Sequence, residues 1–235
     1  MRIPLTKYGL PQAALYPAAI LAMMVIYYVI ARRYWLPGCH CLVSLLLVWL
    51  PEALLLIVLV WVFSFFRDPH REINHDTSLL LSPADGTVMA VETLDDYEGF
   101  DGPVWRCEIF LSIFDVHINR MPCPVTTGEI TYKPGKFLDA RNPQASKVNE
   151  SNTVEMFRLD EPKDRLLVRQ ISGAIARRIV CEAKTGDSYT GGQRFGMIKF
   201  GSGTELFVPV RENLKCCVKK GDKVKAGLTI LARYE

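Results

Sequence analysis

AALYPAAILAMMVIYYVIA, running from Ala13 to Ala31, holds 19 residues and no charge. At about 1.5 Å of rise per residue, a helix of that length covers about 30 Å, one bilayer core. The run ends in Arg32-Arg33-Tyr34-Trp35, a cationic and aromatic boundary of the kind that sits at a membrane surface. A cleaved signal would have a shorter apolar part and would end at small residues. Leu42 to Phe66 is a second apolar run, 25 residues long, interrupted by Pro51-Glu52. A central carboxylate costs about 2.5–3.5 kcal/mol on insertion. The Leu, Ile, Val, Phe and Trp residues around Glu52 offset it. Two such runs, joined by the ten residues 32–41, predict a membrane helical hairpin over residues 1–66. Both ends of a hairpin lie on one side. That side carries Arg2, Lys7, Arg67 and Arg71, and the connection carries only Arg32 and Arg33. The excess of cations places the ends, and the globular part that follows, on the cytoplasmic face of a cell membrane.

The remaining composition narrows the field. With 49% hydrophobic residues in 235, the chain is too apolar to be disordered. Residues 67–235 hold 24 cationic and 24 anionic side chains, so the charge balance there suggests no nucleic-acid surface. Seven cysteines, an odd number with no CxxC and with Cys216 and Cys217 adjacent, read as reduced thiols rather than a disulfide framework. Cys39-His40-Cys41 has no visible third and fourth ligand, so no metal is expected.

Residues 67–235 form a second domain, large enough for one core. Trp105, Cys107, Ile109, Leu111 and Ile113 alternate along one face, the period of a half-buried strand. Similar short runs lie near 86–92, 125–133, 166–172, 177–182, 195–200, 205–208 and 228–233, punctuated by Gly and Pro. A mainly-β domain follows. Thr185-Gly-Asp-Ser-Tyr-Thr-Gly-Gly192 parallels Lys220-Gly-Asp-Lys-Val-Lys-Ala-Gly227. Such Gly-Asp turns between strands resemble the hammerhead turns of biotinyl/lipoyl-like barrels, so barrel elements of that kind are expected. This raises a non-enzymatic alternative, a membrane-anchored lipoyl-like adaptor or carrier. A carrier needs a modified Lys in a characteristic tripeptide, and an adaptor needs long heptads; the sequence has neither.

Three stretches carry candidate chemistry: Ser82-Pro-Ala-Asp-Gly86, Phe114-Asp-Val-His-Ile-Asn-Arg-Met-Pro122 and Lys199-Phe-Gly-Ser-Gly-Thr-Glu205. Each alone has a bland reading as a turn, a structural histidine or a flexible loop. Together Asp85, His117 and Ser202 supply an acid, an imidazole and a hydroxyl, the parts of a base-activated serine. The hydrolase elbow GxSxG is absent, because Phe200 stands two residues before Ser202.

With Phe65-Phe-Arg-Asp-Pro69, Tyr132-Lys-Pro-Gly-Lys-Phe137 and Gly196-Met-Ile-Lys-Phe-Gly-Ser202 added in order, the chain resembles the phosphatidylserine decarboxylases of the short, two-span bacterial class. The resemblance implies a precursor that cuts its own Gly201–Ser202 bond, giving a β chain of 1–201 and an α chain of 202–235. Ser202 becomes a covalent pyruvoyl group, with no other cofactor. That group forms a Schiff base with the phospholipid substrate, releases CO₂ and leaves phosphatidylethanolamine. The membrane and the two chains of one precursor are then the partners, with a homo-oligomer left open. His117 and Asp85 are expected beside Ser202, with Asp85 orienting the imidazole. Longer relatives carry a second histidine three residues after the first, where this chain has Arg120. His117 therefore serves cleavage, decarboxylation or both, or another group deprotonates Ser202. Arg120 is expected to contact the substrate phosphate or carboxylate. Asn149-Glu150 matches a family segment without an assignable role.

Overall fold

The computed structural model describes residues 4–34, 42–174, 178–199 and 201–235. Arg2, Cys39-His40-Cys41 and Phe200 lie outside them. The chain divides into two compact units, residues 1–69 and 70–235, three residues beyond the boundary read from composition. The reason is local pairing. Thr6 N–H donates to the Phe66 carbonyl at 2.9 Å and Asp68 N–H to the Pro4 carbonyl at 2.7 Å, so residues 66–68 are tied to the segment that enters the first helix.

In the first unit, α1 (Gln12–Tyr34) and α2 (Leu42–Phe65) form the expected pair. Both are long and apolar enough to cross a membrane. Large apolar side chains such as Leu21, Val25, Ile57 and Val60 point outward, an arrangement that hydrocarbon solvates and water does not. Arg32 and Arg33 occupy the last turn of α1, where cations complement the helix dipole.

The second unit is mainly β. Its strands are β1 (Leu79–Leu81), β2 (Gly86–Leu94), β3 (Val104–Leu111), β4 (Ile118–Arg120), β5 (Val125–Lys133), β6 (Ser151–Arg158), β7 (Arg165–Ile171), β8 (Arg178–Cys181), β9 (Ser188–Tyr189), β10 (Arg194–Lys199), β11 (Ser202–Pro209), β12 (Leu214–Cys216), β13 (Lys223–Val224) and β14 (Ile230–Tyr234). Eight of them make one antiparallel sheet in the order β13-β2-β3-β11-β7-β6-β5-β9, which curls into a half-barrel. Two three-stranded sheets, β1-β14-β12 and β4-β10-β8, complete the unit. The two Gly-Asp turns read as a repeat lead into β9 and β13, the two edges of the large sheet. Ile109, Met156, Val168 and Leu206 face one side of the curl and form the buried core. β11 lies between β3 and β7 with Ser202 through Val208 buried.

Candidate active site

Ser202 opens β11, where the ladder sets it opposite Leu111 of β3. Its side chain is fully buried, and its Oγ has no hydrogen-bond partner. A buried hydroxyl left unmatched costs about 1–3 kcal/mol, so this group adds no hydrogen bond to the stability of the fold. Gly201 precedes it at φ +67°, a left-handed conformation that a side chain would resist. The carbonyl oxygen of Gly201 lies against Gly173: a Cβ built on Gly173 would stand 2.1 Å from it. Only a glycine at 173 leaves that oxygen where it is.

His117 is fully buried immediately before β4. Its Nδ1 lies 3.0 Å from the Asp115 carbonyl, and its Nε2 accepts the Gly201 N–H at 3.3 Å. A carbonyl only accepts and an amide N–H only donates. Both contacts therefore require the neutral imidazole with its proton on Nδ1. The Asp115 carboxylate closes the preceding turn by accepting the Ser112 N–H at 2.8 Å, which fixes the carbonyl that holds the ring.

Two residues on, Asn119 anchors the floor of the site. Its Nδ2 donates to Thr204 Oγ1 at 3.1 Å, Gln170 Nε2 donates to its Oδ1 at 2.9 Å, and Asn152 Nδ2 donates to Gln170 Oε1 at 3.1 Å. All four side chains are buried. This network binds β4, β11, β7 and β6 into one platform.

Asp85 is placed differently from the expectation. Arg71 grips both carboxylate oxygens, at 2.6 and 2.8 Å, and the Ala226 N–H donates to one of them at 2.8 Å. The group that meets the Nδ1 of His117 is the Asp115 carbonyl, not this carboxylate. Arg71 also donates to the Ala226 carbonyl at 2.5 Å, so the ion pair fastens the turn before β14. Arg120 is buried as well, with its Nη1 on the Gly192 carbonyl at 2.9 Å. It does not line the cavity beside Gly201. That cavity, of about 290 Å³, is walled by Phe110, Ile113, Phe114, Ala140, Arg141 and Ala174. Arg141 is the guanidinium on this wall, paired with Asp139 at 2.7 Å, and sequence reasoning passed over it because it falls in no motif.

Fold and site together define a class: a mainly-β domain that follows two apolar helices and holds a buried, unmatched serine behind a left-handed glycine. Comparison with known proteins gives the family. The sequence model of the family described as phosphatidylserine decarboxylase matches residues 58–232. A phosphatidylserine decarboxylase proenzyme of Gluconacetobacter diazotrophicus is 46% identical over 173 residues, 72% of this chain and 75% of the relative. One from Carboxydothermus hydrogenoformans is 43% identical over 187 residues, covering 80% and 85%. One from Rhodopirellula baltica is 37% identical over 234 residues, covering 99% and 89%. The chain belongs to the phosphatidylserine decarboxylase family.

Proposed function

We propose that this chain is a precursor that cuts itself between Gly201 and Ser202 and then decarboxylates phosphatidylserine to phosphatidylethanolamine. The observation that carries the reading is the unengaged, buried Ser202 Oγ next to a glycine in a left-handed turn. In the precursor, Ser202 Oγ attacks the Gly201 carbonyl carbon and the amide becomes an ester. Elimination across Cα–Cβ of Ser202 then frees the upstream carboxylate, and hydrolysis of the remaining enamine releases ammonia. The residues present fit the pyruvoyl group this leaves: Ser202 is buried, its Oγ is free of competing hydrogen bonds, and a cavity opens beside Gly201. When formed, the group supplies an electron sink for the pair left by departing CO₂.

His117 serves both reactions. It accepts the Gly201 N–H in the precursor and keeps an imidazole beside the residue that reacts. Asp85 supports the site from behind, by fixing Arg71 and the turn at Ala226. The cavity beside Gly201 receives the substrate headgroup, and the apolar hairpin keeps the enzyme at the bilayer that holds the lipid.

The 34 residues after the cut stay in place without the covalent link. β11 is hydrogen-bonded on both sides. Leu206, Phe207, Val208 and Leu231 are fully buried, each contributing about 1.5–3 kcal/mol. Glu205, with no exposure, pairs with Arg106 and Arg169 of the upstream chain. Denaturing electrophoresis with intact masses tests the reading. Native protein should give two chains that co-elute without denaturant, the smaller beginning at a pyruvoyl group, and Ser202→Ala should give one inactive chain. Active protein that is uncut would overturn it.

A further inference from the structure

One transverse row of the large sheet carries an unmatched polar atom on three successive strands. The register pairs Gly203 with Ile171 and Ile171 with Ser151. One residue further, Ser172 N–H donates to the Glu150 carbonyl at 2.9 Å, and the same step sets Ser202 opposite Ser172. The neighbouring row on this face is Thr204, Gln170 and Asn152, whose hydrogen bonds with Asn119 are complete. Strand side chains repeat every two residues, so Ser202, Ser172 and Glu150 point the same way as that row. All three are buried, and Ser202 Oγ, Ser172 Oγ and Glu150 Oε2 each have no hydrogen-bond partner. The other oxygen of Glu150 accepts the Tyr132 hydroxyl at 2.7 Å. That bond is the leading cause that raises the Tyr132 phenol above its usual range, so Tyr132 keeps its proton and leaves Oε2 as the open acceptor.

The Nε2 lone pair of His117 accepts the Gly201 N–H at 3.3 Å. The first proton of the cleavage therefore needs another acceptor. Directly opposed residues have Cβ atoms about 4.5–5.5 Å apart, so rotation about χ1 brings the two serine hydroxyls into hydrogen-bond range.

We infer that Ser172 and Glu150 form a relay that takes the proton from Ser202 during self-cleavage. The inference rests on the proposed cut at Gly201–Ser202. As the Ser202 Oγ–C bond forms, the carbonyl electron pair moves to the Gly201 oxygen. The Oγ proton passes to Ser172, whose own proton passes to the Glu150 carboxylate. When the C–N bond breaks and the carbonyl re-forms, Ser172 gives its proton to the Ser202 nitrogen and recovers one from Glu150, leaving the ester and a free amine with no net change in charge. Glu150 acts through Ser172 and is a positioning residue in that sense.

The test follows processing of freshly made full-length precursor by denaturing electrophoresis, with and without hydroxylamine, which cleaves an ester between residues 201 and 202. Ser172→Ala and Glu150→Gln should each slow the cut about a hundredfold, within the range of general-base assistance. Neither should accumulate a hydroxylamine-sensitive form, because the block precedes the ester. Ser172→Thr, which keeps a hydroxyl, should restore most of the rate. Ser172→Ala processing at the wild-type rate would overturn the relay while leaving the cut itself intact, as would failure of Ser172→Thr to restore it. Wild-type protein that stays in one piece would instead refute the cut. Should Glu150→Gln lower the unfolding midpoint in a Ser202→Ala background, the Ser172 pair alone decides.

Discussion

Both carboxylate oxygens of Asp85 are engaged by Arg71 and by the Ala226 N–H. With side-chain exposures of 4% and 10%, this pair sits where an unmatched charge is costly. Removing one partner of a buried pair typically costs about 3–5 kcal/mol, because the other charge is left without compensation. Arg71→Ala should therefore lower the unfolding free energy of the detergent-solubilised protein by about that amount, read from denaturant titration followed by fluorescence. A loss below about 1 kcal/mol would mean that Asp85 has another partner and that its tie to residue 226 is dispensable. The site was only partly legible at this scale. His117, Gly201 and Ser202 stood out because they fall in quotable motifs, and the fold brings the His117 ring to the Gly201 amide. Arg71 did not, since nothing local connects position 71 to position 85. Ser172 was hidden, and Glu150 was noticed without a role, for a different reason: only the register of β6, β7 and β11 brings them into line with Ser202.

Among the elements, the helices were the easiest to read and hold the least obvious bond. Pro51 lies inside α2 and has no N–H to give to the carbonyl four residues earlier, that of Leu47. Tyr27 of α1 donates its hydroxyl to that carbonyl. In hydrocarbon such a backbone oxygen has no water to turn to, so the phenol from the facing helix completes the ladder that the proline breaks. The run of apolar residues announces the helix, and Pro51 announces an orphan carbonyl. Which side chain answers it depends on how α1 and α2 pack, which no local pattern encodes. Tyr27→Phe should lower the stability of the hairpin by about 0.6–2 kcal/mol, the range of interhelical hydrogen bonds in membranes. Thermal unfolding in detergent micelles measures it; an unchanged midpoint would show that the Leu47 carbonyl is met some other way. The strands divide similarly. β3 alternates cleanly and was expected. β6 (Ser151–Arg158) was missed, because its SNTVEMFR mixes polar and apolar residues and opens on Ser-Asn-Thr, which reads as part of a loop. β1 and β4 are three residues long, too short for any period to register.

For the whole chain, the decisive geometric fact is that the hairpin enters and leaves at one place. Leu5 pairs with Arg67 in an antiparallel bridge, and Thr6 N–H donates to the Phe66 carbonyl at 2.9 Å. If the two helices cross a bilayer, both ends must then emerge on the same side, and the unit that begins at His70 begins there too. Which side is a question of charge. Arg2, Lys7, Arg67 and Arg71 flank the ends, against Arg32 and Arg33 in the connection, and the positive-inside rule counts such residues near the membrane. The ends and the catalytic unit should therefore be cytoplasmic, where the reduced thiols also belong. The cysteines report this directly. Cys216 and Cys217 are exposed, while Cys107 and Cys123 are buried. Burial pushes the thiols of Cys107 and Cys123 up to about 12, so at pH 8 only about one in ten thousand is a thiolate. A membrane-impermeant maleimide added to intact cells should reach Cys39 and Cys41 in the connection and spare Cys216 and Cys217. After permeabilisation it should label Cys216 and Cys217, on the smaller chain, and still spare Cys107 and Cys123 until the protein is denatured. Labelling of Cys216 and Cys217 in intact cells, with the connection protected, would reverse the topology and place the reaction on the opposite face of the membrane.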